Sequence, residues 1–322
     1  MLFRSKRFNA IQTQTFHELY ETDHNVLICS PPGSNNITCA EIAILRCINK
    51  SKSTTSDEEE SDDDEEEPRI VYISPKASRV HQVYLSWQKK FGVKLGKHIC
   101  ELSGDGREDL KKIEDSDIIC CTAEQWDAVS RKWRKKRVFK EIDLFIVDHL
   151  HFLSGVEGPI LEIVVSRIRS MAHEIGKKIR IIGLSACVRN AKDVGDWMGV
   201  KGTGLFAFAP NSRGIREVPL EVVLQTFDPH SLKSRLMAMS KPVYNFITSS
   251  FLTPGSPRMI IAPSWTQTEI TAIDILAYAD VGGVPDIFIE SFLQREKDVT
   301  KEDIEKVASA FDNVILQQTV SK

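Results

Sequence analysis

The 322-residue sequence lacks several features that would define its class at once. No run approaches the ~18 consecutive apolar residues of a membrane span, and the basic stretch at residues 3–7 leads into polar residues rather than the apolar core of a secretory signal. The seven cysteines are odd in number and form no Cys-x-x-Cys pair. This pattern argues against a disulfide framework or a zinc site. We therefore expect a reducing compartment, no membrane partner and no bound metal ion of that kind.

Acidic residues are abundant but unevenly placed. The chain has 42 Lys+Arg and 45 Asp+Glu, a formal net charge of −3, yet ten of the acids lie in residues 57–67, interrupted only by Ser61. Removing ten negative charges from −3 leaves +7 on the rest of the chain, so a basic face for nucleic acid is not excluded. Residues 51–67 are of low complexity and are predicted to be a disordered acidic insertion. Within it, Ser56 and Ser61 precede acids and suit an acidophilic kinase.

Short runs rich in Val and Ile alternate with helical patterns through the first two thirds of the chain. The runs lack clean in-out alternation, which is typical of strands covered on both faces in a parallel sheet. The predicted strands are residues 25–30, 69–74, 98–102, 117–122, 143–147 and 180–184, and the predicted helices are residues 38–48, 78–91, 123–132 and 159–174. This order predicts an α/β fold with a doubly wound parallel sheet.

A second segment begins near residue 216. Strands are predicted at residues 218–224 and 259–262, and helices at residues 232–247, 266–278 and 301–311. Two strands are too few to close an ordinary sheet, so this segment reads as a truncated domain. We therefore predict two domains, residues 1–215, which include the insertion 51–67, and residues 216–322.

The first informative motif is SPPGSNNIT at residues 30–38, which follows a strand and opens a helix. Phosphate-binding loops occupy this position, because backbone N–H groups and the helix N-terminus converge there. Such a loop would end in Gly-Lys-Thr, but Asn35, Asn36 and Ile37 stand in those places. The ammonium for the phosphates and the hydroxyl for Mg²⁺ are both missing. Thr38 lies one residue too late in the sequence. Its hydroxyl could take the place of the missing Mg²⁺ ligand only if the turn that begins at Gly33 were distorted.

The second motif is FIVDHLH at residues 145–151, an apolar strand that ends in an acid. This arrangement places a carboxylate, here Asp148, near a metal-bound nucleotide. The following residue is His149 where a glutamate would activate the attacking water. We interpret His149 and His151 as polar residues at a strand end rather than as a metal site, because no third ligand is evident.

The order of these motifs is more specific than any one of them. FNAIQ precedes the loop, and Ser74-Pro75-Lys76, Thr122-Ala123-Glu124, the Asp-x-x-His and Ser185-Ala186-Cys187 follow it. This order resembles that of superfamily 2 DExH helicases. The segments FNAIQTQ, CAEIAILR, QWDAVSRKWR, NAKDVGDW and AMSKPVYNFI resemble the C-terminal cassette of the large two-cassette RNA helicase of the U5 small nuclear ribonucleoprotein, over residues 3–279. The activating-signal-cointegrator helicase is a less close match.

The resemblance implies a complete first RecA-like domain, part of a second one, and a set of site residues. The implied nucleotide-site residues are Gln12 for adenine, then Gly33, Ser34, Asn35, Asn36, Ile37 and Asp148. The implied nucleic-acid contacts are Ser74, Pro75, Lys76, Thr122 and Glu124, and Ser185 would couple nucleotide state to domain movement. In that family the second cassette is a weakened, regulatory copy. Most of these residues are accordingly expected to be relics in structural roles.

A basic run, RKWRKKR at residues 131–137, has six positive charges in seven residues. Arg131, Lys132 and Arg134 are candidate RNA contacts, and Trp133 could stack on a base. A basic surface for protein partners and a merely solvated helix end are the alternatives. The acidic insertion is expected to emerge close to the RNA path and to compete with RNA for the basic face.

Two hypotheses for function follow. The first is an ATPase-deficient helicase-like module of the nucleus, with weak or absent ATP and Mg²⁺ binding. It would act as a platform for spliceosomal proteins and for an N-terminal helicase cassette, with RNA as a further partner. The second is a piece of an ATP-dependent RNA helicase with divergent motifs. An unrelated P-loop NTPase is disfavoured by the order of the motifs.

Overall fold

The computed structural model describes residues 7–54, 68–209, 215, 220–228, 230–248 and 259–283. The chain divides into two units, Met1–Leu220 and Glu221–Lys322. The described part of the first unit is built on a seven-stranded sheet. Its strands are β1 (Val26–Cys29), β2 (Arg69–Ser74), β3 (Ile99–Glu101), β4 (Ile118–Thr122), β5 (Ile142–Val147), β6 (Arg180–Ser185) and β7 (Leu205–Ala207).

All neighbouring strands are parallel, in the order β3-β4-β2-β5-β6-β1-β7. Ile73 pairs with Val147, and Ile28 pairs with Leu184. Because every strand points the same way, one edge of the sheet collects the carboxyl ends of the strands and the opposite edge collects their amino ends. We call these the carboxyl edge and the amino edge.

Helices cover both faces of this sheet. In the first unit they are α1 (Ala10–Phe16, with a π-helical extension His17–Glu21), α2 (Ile37–Thr54), α3 (Ala77–Trp87), α4 (Val93–Leu95), α5 (Gly106–Glu114), α6 (Ala123–Ser130), α7 (Gly158–Ile175) and α8 (Ala191–Met198). One core buries Ile11, Ile44 and Trp87 of α1, α2 and α3. The other core buries residues of α6 and α7, among them Trp126 and Ile168. The doubly wound parallel α/β fold is therefore confirmed.

Local sequence explains where several helices begin. Asn9 caps α1 and Thr122 caps α6, each in a reciprocal capping box whose third helical residue is a glutamine, Gln12 or Gln125. Pro159 lies in the first turn of α7, where its missing N–H is not needed. These caps fix the points at which the chain leaves the carboxyl edge.

In the second unit the structure describes two helices, α9 (Leu232–Thr248) and α10 (Trp265–Val281). Both helices were predicted. The rings of Tyr244 and Tyr278 lie 5.8 Å apart, so the two helices pack on one another. The strands predicted at residues 218–224 and 259–262 were wrong for the described residues 220–224 and 259–262, which pair with no other strand. Their apolar side chains, among them Leu224 and Ile261, are 88% and 86% exposed.

In the first unit all six predicted strands form, with shifts of one or two residues at their ends. The sequence did not predict β7, α1, α5 or α8. Helix α2 extends to Thr54, into the segment predicted as disordered. The rest of the acidic insertion and the helix predicted at residues 301–311 lie outside the described residues.

Candidate functional site

The predicted motifs meet at the carboxyl edge. The loop of residues 30–36 joins β1 to α2, Asp148 directly follows β5, and Ser185 is the last residue of β6. Ser74 ends β2 and Thr122 ends β4. Open parallel sheets bind ligands at this edge, since loops from several strands converge there.

The loop between β1 and α2 contains two residues with positive φ, Gly33 at 84° and Asn35 at 58°. Asparagine tolerates this left-handed conformation better than most residues with a side chain. Asn35 can therefore replace the glycine of a phosphate loop without changing the path of the backbone. Thr38 is buried in the first turn of α2, so the loop has not shifted register to bring its hydroxyl forward.

The side chain of Asn36 closes this loop on itself. Ser30 Oγ and Ser34 Oγ both donate to Asn36 Oδ1, at 2.6 and 2.9 Å, and the two hydroxyls are 2.7 Å apart. Asn36 Nδ2 lies 3.5 Å from the carbonyl oxygen of Ser185. The side chains of Ser30, Ser34 and Asn36 are thus paired with one another. Ile37 adds an apolar side chain and no ligand for a metal ion.

Gln12, implied to recognise adenine, is 4% exposed. Its Oε1 accepts the N–H of Asn9 at 3.1 Å, and its Nε2 lies 3.5 Å from the carbonyl oxygen of Asn35. Asn9 Nδ2 donates to the carbonyl of Ser34 at 2.8 Å. Gln12 and Asn9 therefore fasten α1 to the loop and have little free hydrogen-bonding capacity.

Asp148 is buried, at 6% exposure, and its carboxylate is surrounded by donors. Oδ2 accepts the Tyr72 hydroxyl at 2.7 Å and Arg79 Nε at 3.3 Å, and it lies 3.2 Å from His149 Nδ1. Oδ1 accepts the backbone N–H of His149 at 2.9 Å. Burial alone would raise the pKa of Asp148, but the donors, His149 foremost, lower it below its usual range. The group is an ionised carboxylate whose lone pairs face protein donors.

His149 and His151, which follow Asp148, differ in backbone conformation and in hydrogen bonding. His149 has a φ of 60°, an unusual backbone conformation for a residue with a side chain. His151 Nδ1 accepts the backbone N–H of Ala186 at 3.1 Å, which joins the Asp-x-x-His motif to Ser185-Ala186-Cys187. Burial, together with the neighbouring His149, lowers the pKa of His151. His151 is therefore a neutral hydrogen-bond acceptor at neutral pH.

Some of the candidate nucleic-acid residues at the carboxyl edge are buried or held by contacts within the protein. Lys76 Nζ pairs with Glu157 at 2.6 Å and lies 5.1 Å from the centre of the Phe152 ring. Thr122 caps α6 through Gln125, while Ser74 and Pro75 are buried and Glu124 is exposed. Lys76 and Glu124 are thus the side chains of this group that solvent or a ligand reaches.

The structure separates the basic run from this site. Helix α6 starts at the carboxyl edge and returns the chain toward the amino edge, so residues 131–137 precede the amino end of β5. Arg131, Lys132 and Arg134 therefore do not join Lys76 in one surface. Ion pairs hold several charges of the run: Arg131 with Asp127, Arg134 with Glu174, Lys136 with Glu114 and Arg137 with Glu141.

The expectation that Trp133 stacks on a base needs correction. Trp133 is 7% exposed and belongs to the core, with the Arg134 guanidinium 4.7 Å from its ring centre, so it does not present a face for a base. The acidic insertion lies between α2 and the amino end of β2. It therefore leaves the sheet at the amino edge, opposite the edge where Lys76 lies.

The sequence did not reveal the residues that hydrogen-bond to the side chains of the motifs. Tyr72 and Arg79 bind Asp148, Ser30 binds Asn36, and Glu157 binds Lys76. Tyr72 did leave a signal, since it is the one aromatic residue with a hydroxyl inside the buried strand β2. Arg79 gave no such signal in the sequence, because its contact with Asp148 depends on how α3 packs against the sheet.

The residues present do not fit Mg²⁺-nucleotide bound in the manner of an active phosphate loop. Asn36 accepts the Ser30 and Ser34 hydroxyls inside the loop, and Asp148 Oδ2 accepts hydrogen bonds from Tyr72 and Arg79. Within the described ranges, no cluster of three or more His, Cys, Asp or Glu side chains is arranged to hold a metal ion. None of the described helices is long and apolar enough to cross a membrane.

A RecA-like sheet with an Asp-x-x-His motif and a phosphate-loop position at its carboxyl edge is the architecture of a helicase domain. The DEAD/DEAH box helicase family model matches residues 9–194, and the chain belongs to that family. It is 40% identical over 269 residues to the human U5 small nuclear ribonucleoprotein 200 kDa helicase, which covers 84% of this chain and 12% of the relative. The chain is also 40% identical over 274 residues to the Arabidopsis thaliana DExH-box ATP-dependent RNA helicase DExH12, covering 85% of this chain and 12% of that protein.

Human activating signal cointegrator 1 complex subunit 3 is 37% identical over 277 residues, covering 86% of this chain and 12% of that protein. The chain therefore spans about an eighth of the length of these curated relatives. Among solved structures, the DUF1998 helicase MrfA bound to DNA and AMPPNP aligns with a TM-score of 0.56 at 15% identity, covering 86% of this chain and 37% of that one. The RNA-bound helicase Mss116p aligns with a TM-score of 0.50 at 17% identity, covering 63% and 40%. These two similarities confirm the RecA-like fold.

Proposed function

We propose that this chain is a helicase-like module that has lost ATP hydrolysis and serves as a regulatory, protein-binding platform in pre-mRNA splicing. The observation behind this proposal is the closed phosphate loop, in which Ser30 and Ser34 bind Asn36 instead of awaiting a phosphate. A loop that satisfies its own donors must break those hydrogen bonds before it can bind a ligand. The Lys and Thr whose contacts with the phosphates and Mg²⁺ would compensate for these lost hydrogen bonds are replaced by Asn36 and Ile37.

The state of Asp148 supports the same proposal. In an active site this carboxylate would face a hydrated Mg²⁺, whereas here it faces Arg79, Tyr72 and His149. A cation entering the site must displace the Arg79 guanidinium. The loss of a general base alone lowers a rate by ~10²–10⁴-fold, and His149 stands where that base would be.

The proposed setting is the nucleus and the spliceosome. It rests on the 40% identity to a helicase named as part of the U5 small nuclear ribonucleoprotein. The proposed partners are spliceosomal proteins and an N-terminal helicase cassette, with RNA as a further partner. Exposed side chains on both edges of the sheet, among them Lys76 and Lys132, would provide such contacts.

A second candidate function is an ATP-dependent RNA helicase module with divergent motifs. The retained geometry of Gly33 and Asp148 at the carboxyl edge favours it. Titration with a fluorescent ATP analogue separates the two candidates. We expect no saturable binding by the wild-type chain at micromolar analogue, and binding at least ~10²-fold tighter in the double variant Asn36→Lys, Ile37→Thr, because charge-assisted hydrogen bonds contribute about 1.5–3 kcal/mol each.

The control is Lys192→Thr, a change on exposed α8 that leaves the loop intact. Micromolar binding by the wild type, together with phosphate release that Asp148→Ala abolishes, would establish the second candidate and refute the first. A double variant that binds no better than wild type would show that Arg79 and Tyr72, rather than the missing Lys and Thr, decide the loss.

A further inference from the structure

A cleft of about 300 Å³ opens at the amino edge, beside the amino ends of β5 and β6 and the last turns of α2. Its charged lining residues are Asp23, Arg46, Lys50, Asp143, Lys178 and Arg180. The cleft lies across the sheet from the phosphate loop, and the function proposed above does not use it. We call it the amino-edge cleft.

Both carboxylates of the cleft are already bound. Asp23 accepts Arg46 Nε at 3.3 Å and Lys50 Nζ at 2.6 Å. Asp143 pairs with Lys177, which lies outside the lining, at 2.8 Å and also accepts the backbone N–H of Arg69 at 3.2 Å. Four lining cations thus face two carboxylates, and the pairing leaves Arg180 and Lys178 without one.

Arg180 is 6% exposed, and its guanidinium meets only neutral acceptors. Nε donates to the carbonyl of His24 at 2.9 Å, Nη1 to that of Leu19 at 3.0 Å and Nη2 to that of Glu18 at 2.6 Å. Among the described residues no carboxylate contacts this guanidinium. Carbonyl oxygens orient the group but do not neutralise its charge.

Burial lowers the pKa of Arg180 to about 10, which still leaves the group charged at neutral pH. Asp23 and Glu18 act on this charge from a distance, but no described carboxylate contacts it. A buried charge without a counter-charge in contact is unfavourable, and a bound anion relieves that penalty. Guanidinium and ammonium groups together match the tetrahedral oxygens of phosphate. Because the lining has two more cations than carboxylates, a ligand with at least two negative charges would balance it.

We propose that the amino-edge cleft binds a small phosphate-bearing polyanion of the size of inorganic pyrophosphate, held by Arg180 and Lys178 with help from Arg46. Three carbonyls hold the guanidinium of Arg180 in the lining of the cleft, and two of its five N–H groups remain for a ligand. Lys178 is exposed and can close over the ligand from the solvent side.

The chain itself contains an alternative source of negative charge. Ser51 and Pro68 line the cleft, and the ten acids of residues 57–67 lie between them in sequence. Carboxylates tethered this close to the cleft would compete with a free ligand. The experiment therefore compares the full chain with a variant that lacks residues 55–67.

Isothermal titration with Mg²⁺-free pyrophosphate tests the proposal. We expect saturable binding that Lys178→Gln and Arg46→Gln each weaken at least fivefold, or about 1 kcal/mol. Lys192→Gln, the same charge change on α8 at the carboxyl edge, should leave affinity unchanged. Lys178 is exposed and makes no ion pair among the described residues, so its variant should fold normally, which circular dichroism verifies.

Tighter binding in the variant lacking residues 55–67 would support the cleft and identify the acidic run as its competitor. Equal affinity of both chain lengths would support the cleft with the free ligand alone. The proposal is overturned if neither form binds pyrophosphate at millimolar concentration, or if the cleft variants bind as well as Lys192→Gln does. A failure here would leave the nucleotide titration of the phosphate loop unaffected.

Discussion

The two edges of the sheet use their polar residues in opposite ways. At the carboxyl edge several side chains of the helicase motifs are held by contacts within the protein: Asn36 binds Ser30 and Ser34, and Asp148 binds Arg79. At the amino edge, Arg180 is buried and donates to three backbone carbonyls, and no carboxylate of the described part of the chain contacts it. The difference teaches that the presence of a motif and the availability of its side chains are separate properties, and only the second permits ligand binding.

The largest expected effect comes from removing the charge of Asp148. The variant Asp148→Asn should lower the free energy of unfolding by about 2–3 kcal/mol at pH 7, because it weakens hydrogen bonds from Tyr72 and Arg79 to a charged acceptor. Urea unfolding measures this loss. If the carboxylate were instead kept free for a metal ion, the variant would be as stable as wild type.

The pH dependence of that loss follows from the lowered pKa of Asp148. A carboxylate whose pKa is lowered by folding contributes stability above its unfolded pKa of ~3.9, and the contribution disappears as pH falls through the folded value. The difference between wild type and Asp148→Asn should therefore persist above about pH 4 and shrink as the pH falls below that value. The exposed carboxylate of Asp196 provides the control variant, Asp196→Asn, for which no such difference is expected.

A smaller effect is expected at Thr122, which the family resemblance assigns to nucleic-acid binding and which the structure shows as the cap of α6. Thr122→Ala should destabilise the chain by about 1 kcal/mol through loss of the cap. Thr122→Ser keeps the capping oxygen and should restore most of that stability. If Thr122 instead contacts RNA, the alanine variant would weaken RNA binding more than it lowers the denaturation midpoint.

The smallest effect compares one lysine from each edge. Lys76→Gln at the carboxyl edge should reduce the slope of log affinity against log salt for single-stranded RNA by about 0.7, the value for one phosphate contact. Lys132→Gln in the basic run should leave the slope unchanged, since that run lies at the amino edge. Fluorescence anisotropy at several salt concentrations measures both slopes, and the reverse result would move the RNA path to the amino edge.

The sequence predicted the first unit well because most residues of its strands are buried and apolar, as in β4, in which all five residues are buried. It missed β7, because an apolar run of three residues is too short to distinguish a strand from a loop. It also missed α1, although Asn9 and Gln12 stand at the spacing of a capping box. In the second unit, apolar runs at residues 220–224 and 259–262 looked like strands, but a strand needs a neighbour to pair with, and the sequence does not show whether one is present.

The residues of the candidate site were predictable from the sequence, but the hydrogen bonds between their side chains were not. Motif order brought the phosphate loop, Asp148 and Ser185 to the carboxyl edge, since parallel strands all end there. The contact between Asn36 and Ser30 depends on the path of the loop, and that between Arg79 and Asp148 depends on the packing of α3. The basic run lies near the amino edge because α6 crosses the sheet, and the charge pattern of residues 131–137 does not encode that path.

Helix α2 runs from one edge of this sheet to the other. It starts with Ile37 at the phosphate loop and includes Arg46 and Lys50 of the amino-edge cleft near its far end. An 18-residue helix is about 27 Å long and hardly compresses, so an axial shift at one end moves the other end by the same distance. Should both ends bind ligands, linkage requires that each ligand change the affinity for the other by the same factor, and α2 would be the rigid rod that transmits the change.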